Sequence, residues 1–272
     1  MRLVTFASGS TGNCALLSAG DTHILIDAGI SMRRIVHCLR RLGLEMRDVA
    51  GVLVTHSHRD HTAALQMLAR HTETAVCAPR TVAGELRRTV FDIEKNLRVI
   101  PVGERFALGD LAVTAFRTSH DSEESVGFRF SGDAELGFCT DTGCVTPEMR
   151  ACLPGVDAAV IEANHDEDML LSGPYPWSLK RRVLSERGHL SNASAAELAL
   201  YLCENGTGKL LLAHLSRKNN RPELAVNTVE TYLAARGYFP QIQAAPMDGF
   251  CRIEAEGGER VCCPSVSSAA AV

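Results

Sequence analysis

Short apolar runs broken by turn residues open the chain. Residues 3–7, 15–18 and 23–27 read as strands, divided by Gly-rich and Gly-Asp turns. The period then changes. Ser31 can cap a helix through Leu42, with Ile35, Val36, Leu39 and Leu42 forming an apolar stripe, four arginines facing water and Gly43 as the stop. Residues 52–55 form a further strand, 61–70 a helix and 74–78 a strand. Shorter strands are expected at 98–101, 111–118, 125–130 and 135–140, with Gly132-Asp133 as a hairpin turn. Alternation then returns: strand 158–163, helices 176–187 and 192–203, strand 210–213, helix 222–235, and short strands near Ile242 and Cys251. This order predicts an α/β protein in which two mixed sheets lie face to face with helices outside, an αββα sandwich, and the site runs along their shared edge. The expected limits are one domain over 1–264 and a frayed tail over 265–272.

The strand at 52–55 ends in His56-Ser57-His58-Arg59-Asp60-His61, the densest chemistry in the sequence. A helix would place positions 56 and 58 on different faces. An extended segment puts them on one side, so His56 and His58 can grip one cation, while Asp60 and His61, past a bend, turn toward a second. Imidazole and carboxylate donors suit zinc, manganese or iron without a thiolate. Four other strand ends carry a matching group: His120, Asp141 in a Thr-Asp-Thr-Gly turn, His165 and His214. One such residue is ordinarily a core histidine or a helix cap; four beside the first motif indicate a shared site.

Composition narrows the picture. The 272 residues are 46% apolar, enough for a substantial core, and the net charge of -4 restricts any grip on nucleic acid to local patches. No apolar stretch reaches the roughly 18 residues of a membrane span, and the N-terminus lacks a signal-peptide pattern, so a cytoplasmic enzyme is expected. The ten cysteines include no Cys-x-x-Cys pair and read mostly as small buried apolar residues in a reducing compartment; the adjacent Cys262-Cys263 is assigned no role.

The order His-x-His-x-Asp-His, later His, later Asp, later His resembles that of the metallo-β-lactamase fold hydrolases, and Leu25-Ile26-Asp27-Ala28-Gly29 resembles their first motif. The resemblance spans nearly the whole chain and implies a site for two divalent cations, zinc or manganese. It implies that His56, His58 and His120 hold one cation, that Asp60, His61 and His214 hold the other, and that Asp141 bridges them. Asp27 is implied to be a structural hydrogen-bonding residue. Asp60 points away from antibiotic hydrolysis and toward phosphodiesterase and thiolester branches.

Several segments bear on the branch. The loop Ser8-Gly9-Ser10-Thr11-Gly12-Asn13 is either an anion-binding turn or a tight hairpin, with Ser10 and Asn13 as candidate substrate contacts. Gly188-His189-Leu190-Ser191-Asn192 opens a helix, where Ser191 can cap or, with His189, receive phosphate. The basic loop after His214 offers Arg217, Asn220 and Arg221. Pro174-Tyr175-Pro176-Trp177, followed by Lys180-Arg181-Arg182, suits stacked bases and backbone phosphates, or else packs its tryptophan on the sandwich. Together these segments and Glu162-Ala163-Asn164-His165-Asp166 resemble the YycJ (WalJ) subfamily. That resemblance implies a 5′-to-3′ DNA exonuclease preferring single strands, with a metal-bridging hydroxide as nucleophile. Asp60 would orient or deprotonate the nucleophile, and His189 would contact a phosphoryl oxygen or protonate the leaving oxygen. His165 is either a group behind a metal ligand or a phosphate contact. No inserted nucleic-acid-binding domain like that of ribonuclease J is visible, so loops of the sandwich would hold the substrate. Rival readings place the same site in a small cyclic or nucleotide phosphodiesterase, in a thiolester or lactone hydrolase, or in a non-hydrolytic metal-binding regulator or oxygen-redox protein.

Overall fold

Fourteen strands form two seven-stranded sheets among residues 1–257, the part of the chain that the computed structural model describes. The expected tail at 265–272, the expected domain end at 264 and Cys262-Cys263 lie outside the described residues. In chain order the strands are β1 (Arg2–Ala7), β2 (Cys14–Ala19), β3 (Thr22–Ile26), β4 (Val49–Leu53), β5 (Val76–Pro79), β6 (Leu97–Ile100) and β7 (Arg105–Leu108). There follow β8 (Leu111–Arg117), β9 (Val126–Ser131), β10 (Glu135–Cys139), β11 (Ala158–Glu162), β12 (Lys209–Ala213), β13 (Gln241–Ala244) and β14 (Asp248–Glu254). The first sheet runs β14-β1-β2-β3-β4-β5-β6 and the second β13-β12-β11-β10-β9-β8-β7. Each is mixed: β3 to β6 and β10 to β13 pair in parallel, the remaining pairs antiparallel.

Parallel neighbours need crossover connections, and helices supply most of them. They are α1 (Met32–Arg41), α2 (Arg59–Thr62), α3 (Leu65–His71), α4 (Arg80–Thr89), α5 (Pro147–Cys152), α6 (Glu167–Ser172), α7 (Trp177–Val183), α8 (Asn192–Glu204) and α9 (Pro222–Ala234). Successive side chains on a strand point to opposite faces, and the cores divide accordingly. Leu17, Ile24 and Leu53 of the first sheet meet Val113, Phe128, Val160 and Leu211 of the second in a central layer. Their neighbours Leu16, Leu25 and Val52 face outward under Ile35 and Leu39 of α1, Leu68 of α3 and Leu86 of α4. Ile161 and Leu212 face the other way, under Met149 of α5, Leu198 and Leu202 of α8 and Val229 of α9. Central strands are therefore buried on both faces, which is why they read as unbroken apolar runs. The expected αββα sandwich is the fold. No described helix is long and apolar enough to cross a membrane.

Some expected elements change. The helix expected at 61–70 is broken into α2 and α3 because the Ala64 N–H donates to Ala28 O and His61 O accepts from Ala28 N, both at 2.8 Å. These bonds tie the turn to the end of β3 and leave the helical ladder open. The helix expected at 176–187 stops at Val183, whose carbonyl accepts the His189 N–H at 3.0 Å. Gly188 makes that reversal possible, since a Cβ there would lie 2.2 Å from Val183 O. Helices α4, α5 and α6 and strand β7 were not expected, although Thr146 before Pro147 and Asp166 before α6 both serve as N-caps. Cys14, Cys38, Cys77, Cys139 and Cys203 are buried, in keeping with small apolar residues.

Two glycines test how tightly this frame is drawn. A Cβ on Gly29 would fall 1.6 Å from the Asp60 carbonyl oxygen, where Asn13 N also donates at 2.7 Å. In contrast, Gly84 inside α4 has open space, with only the end of Arg88 at 4.0 Å. Gly29→Ala is expected to destabilise the protein by about 1–3 kcal/mol or more through overpacking, while Gly84→Ala should stabilise it by roughly 0.5–1 kcal/mol through helix propensity. Urea denaturation of the two variants gives both signs.

Candidate metal centre

The cluster forms where strands of both sheets end. Asp27 follows β3, His56 to His61 follow β4, His120 follows β8, Asp141 follows β10, Glu162 ends β11 and His214 follows β12. His56, His58 and His120 present ligand atoms all within 4.8 Å of one another; so do His56, His61 and Asp141, and so do Asp60, His61 and His214. The structure thus brings together all seven residues expected to bind metal.

Four of the five imidazoles expected to bind metal are aimed by a bond on the far nitrogen. His61 Nδ1 lies 2.7 Å from Asp27 Oδ2, His120 Nδ1 lies 3.0 Å from Gly188 O, and His214 Nδ1 lies 2.8 Å from Glu162 Oε1. These acceptors take Nδ1–H, which leaves each Nε2 directed toward the cluster. His56 Nδ1 is 3.0 Å from Thr55 Oγ1, which itself bonds Asp27 Oδ1 at 3.1 Å. Fixing ring orientation in this way is how supporting residues tune a metal ligand.

The inner face of the cluster fits cations. His56 Nε2, His214 Nε2 and Asp141 Oδ2 are buried and lack any hydrogen-bond partner. Buried polar atoms are normally paired, and three unpaired acceptors gathered in one place are satisfied by positive charge. Glu162 belongs to a different group. Its Oε1 accepts from both His189 Nδ1 and His214 Nδ1 at 2.8 Å, and its Oε2 accepts from Thr142 N at 3.0 Å. That carboxylate is already compensated, so Glu162 acts as a support behind the site.

Charge is redistributed accordingly. Burial works against a charged His61, yet Asp141 and Asp27 outweigh it and lift its pKa to about 10. Burial likewise opposes charge on His189, but Glu162 raises it to about 9. Burial would raise Glu162, but His189 and His214 hold it at about 2. Asp141 is buried too, and the surrounding imidazoles hold it well below the usual carboxylate range. His56 and His120 go the other way, depressed chiefly by burial.

Backbone strain concentrates here. Among the described residues four non-glycine positions have positive φ, and three are Asp27, Asp141 and His214, at 58°, 55° and 57°. Such conformations are uncommon for residues with a side chain and persist where surroundings enforce them.

The expected substrate contacts separate. Ser10 is exposed within the Gly-rich loop, whose Asn13 reaches the cluster. Asn13 is buried, its Oδ1 accepting from Gly9 N at 2.8 Å and its Nδ2 lying 3.0 Å from His61 Nε2. Ser191 caps α8, accepting from Ser194 N at 3.2 Å. Asn220 is committed internally, exchanging hydrogen bonds with Asn192 and donating to Ala163 O at 2.9 Å. Arg217 is exposed, and Arg221 lines a shallow cavity with Met169, Glu223, Leu224 and Asn227. His165 is buried with both ring nitrogens unpartnered, and burial depresses it to about 4. His189, one-fifth exposed, keeps Nε2 available beside the cluster. Sequence reading gave no role to Glu162 or Asp121. A lone carboxylate ending an otherwise apolar strand was the signal for Glu162. Asp121 Oδ1 lies 3.2 Å from His120 Nε2, and the residue follows His120 directly.

The sandwich and its His/Asp donor set define a metallo-β-lactamase type of centre, and known proteins resemble the chain over most of its length. Residues 22–215 match the family model described as "Beta-lactamase superfamily domain". The chain is 37% identical over 234 residues to "Exodeoxyribonuclease YycJ" of Bacillus anthracis, covering 85% of this chain and 89% of that one. It is 35% identical over 232 residues to "Exodeoxyribonuclease WalJ" of Streptococcus pneumoniae serotype 2, covering 84% and 86%. The crystal structure of YhfI, a metallo-beta-lactamase fold protein from Bacillus subtilis, superposes with a TM-score of 0.71 over 92% of this chain and 99% of that one, at 16% identity. The chain belongs to the beta-lactamase superfamily, as a metal-dependent hydrolase.

If Glu162 aims His214, Glu162→Gln should weaken binding of zinc or manganese roughly 10–100-fold while the fold is retained. Calorimetric titration of metal-stripped protein measures this, and the rise in melting temperature on adding metal should shrink in parallel. Equal affinity in the variant would remove Glu162 from the metal site.

Proposed function

We propose that this protein is a dinuclear metal-dependent phosphodiesterase acting as a 5′-to-3′ DNA exonuclease that prefers single strands. The observation that carries this reading is the similarity, at 35–37% identity over 84–85% of the chain, to proteins named as exodeoxyribonucleases. It is supported by a donor cluster that includes Asp60 beside His61 and His214.

In this reading His56, His58 and His120 hold one cation, Asp60, His61 and His214 a second, and Asp141 serves both. Zinc and manganese both suit imidazole and carboxylate donors. When bound, the pair would activate water near neutral pH and neutralise charge growing on the phosphoryl oxygens. The chain's own residues do the rest. Asp60, one-quarter exposed at the rim, orients the attacking water or accepts its proton. His189, fixed through Nδ1 by Glu162, offers Nε2 to a phosphoryl oxygen or to the leaving oxygen. Ser10 and Arg217 are exposed and free to meet the strand, and Arg221 would reach its more distant phosphates. Asn13, Ser191 and Asn220 act from beneath, by shaping the loops on which the contacts sit, and His165 lies buried behind them.

Single-stranded DNA labelled at either end should be shortened stepwise by the manganese- or zinc-loaded protein, with the two labels giving the direction. Asp60→Ala should abolish cleavage, and His189→Ala should lower kcat by about 10²–10⁴, the usual contribution of a positioned acid or base. Intact DNA under both metals, with a small phosphodiester hydrolysed instead, would overturn the nuclease assignment.

A further inference from the structure

The segment joining α6 to α8 presents a surface that the proposed chemistry leaves unused. Trp177, the protein's single tryptophan, begins α7 and is 61% exposed. An indole left in water is a large surface on which another flat ring can stack. Helix α7 carries three cations in its last turn and no acid in its first. Two of them, Arg181 and Arg182, are exposed. The third, Lys180, is buried and donates to Leu171 O at 2.5 Å, tying α7 to α6. The connection is further fixed at Gly173, where a Cβ would come within 2.6 Å of Met169 O and 3.0 Å of Asn219 Oδ1. The turn between them, flanked by Pro174 and Pro176, is therefore a rigid mount. On its flank Lys218 sits with Nζ 5.6 Å from the Tyr175 ring centroid. At its inner end Arg182 pairs with Asp121, whose Oδ1 is 3.2 Å from His120 Nε2 and 3.8 Å from His58 Nε2.

We propose that this surface, from Trp177 and Tyr175 through Arg181 to Arg182, with Lys218 beside it, is the bed on which single-stranded DNA lies as it enters the site; the inference rests on the nuclease reading. The exposed Trp177 ring accepts a base by stacking, with the half-buried Tyr175 in the same segment, and exposed cations follow the backbone. Continuity with His58 and His120 through Asp121 directs the strand to the cluster, which a surface for lipid or for a second copy would not require. Bases paired in a duplex are already stacked and cannot use Trp177, so the bed selects single strands. Arg182 holds Asp121 while the site is empty, and a phosphate arriving beside it takes over part of that pairing.

The single tryptophan makes the test direct. In holoprotein titrated with a hydrolysis-resistant phosphorothioate oligothymidylate, Trp177 emission is expected to change saturably, and the midpoint should move to higher DNA concentration as salt rises. Trp177→Ala should raise KM for single-stranded DNA roughly tenfold without a matching fall in kcat, and Trp177→Phe should recover most of that loss, because stacking needs only a ring. A combined Arg181→Ala and Lys218→Ala variant should weaken the emission titration in the same direction. Emission unmoved by oligothymidylate in protein that still degrades DNA overturns the bed and leaves the nuclease standing. Emission that shifts with protein concentration or with anionic vesicles, and not with DNA, also overturns it, assigning the surface to a second copy or to lipid. Wild-type protein that cuts no DNA under either metal instead overturns the reading beneath it.

Discussion

Two fully buried carboxylates, Asp27 and Glu162, govern the arrangement of everything around them. A carboxylate removed from water is tolerated only when hydrogen bonds and opposite charge surround it. Asp27, at the end of β3, meets that demand with Thr55 and His61. Glu162, at the end of β11, meets it with Thr142, Leu190, His189 and His214. Asp27 therefore holds His61 and Glu162 holds His189 and His214, each in its own half of the sandwich, and the free nitrogens of these rings turn inward. The two halves meet at Asp141, whose oxygens lie 3.5 Å from His61 Nε2 and 3.5 Å from His214 Nδ1. A fold with two sheets edge-aligned at their strand ends supplies that meeting point; either sheet alone would leave half of the donor set.

Much of this was legible in the sequence, for identifiable reasons. Strands buried on both faces leave unbroken apolar runs such as those before His56 and His214, and a histidine just past such a run marks the sheet's edge. The first motif was readable because its donors are adjacent in the chain. Glu162 was harder to see, because its meaning depends on His189 and His214, distant in sequence and near only after folding. Helices α2 and α3 were merged in expectation because the interruption comes from bonds to Ala28, a partner that local periodicity does not register. Ser191 could be read as a helix cap or as a phosphate contact and is the cap, while Asn220, noted within a basic loop, completes an amide pair inside the protein. Residue type alone does not separate those duties; hydrogen-bond partners do.

The strained positions show why this arrangement is ready before substrate arrives. Asp27, Asp141 and His214 all sit in the left-handed region, each at a cost on the order of 1 kcal/mol or more. Strand ends here turn sharply, so the side chain leaves the sheet in the direction of the cluster and does not continue the pleat. Close backbone approach keeps the turns from relaxing, as where Gly29 lies against Asp60 and where Gly143 meets the backbone of Ser185 and Glu186. That second contact also joins the Asp141 turn to the segment holding His189, so two residues proposed for one reaction share a rigid support.

Under the proposed exonuclease reading, this rigidity bears on how the loops of the sandwich could handle a polymer. A phosphodiester must be presented to the cluster in one orientation, and misplacement of about 1 Å can cost on the order of a hundredfold in rate. Flexible loops would surrender that precision with each new nucleotide. The α6–α7 connection avoids the problem, being clamped by Lys180 to Leu171 and by Gly173 against Asn219. In the proposed bed, Trp177 and the exposed basic groups would then exchange one nucleotide for the next without moving themselves. Repeated stepwise removal requires contacts that tolerate any base yet hold position to within a fraction of a nucleotide, and stacking on a fixed ring meets both conditions.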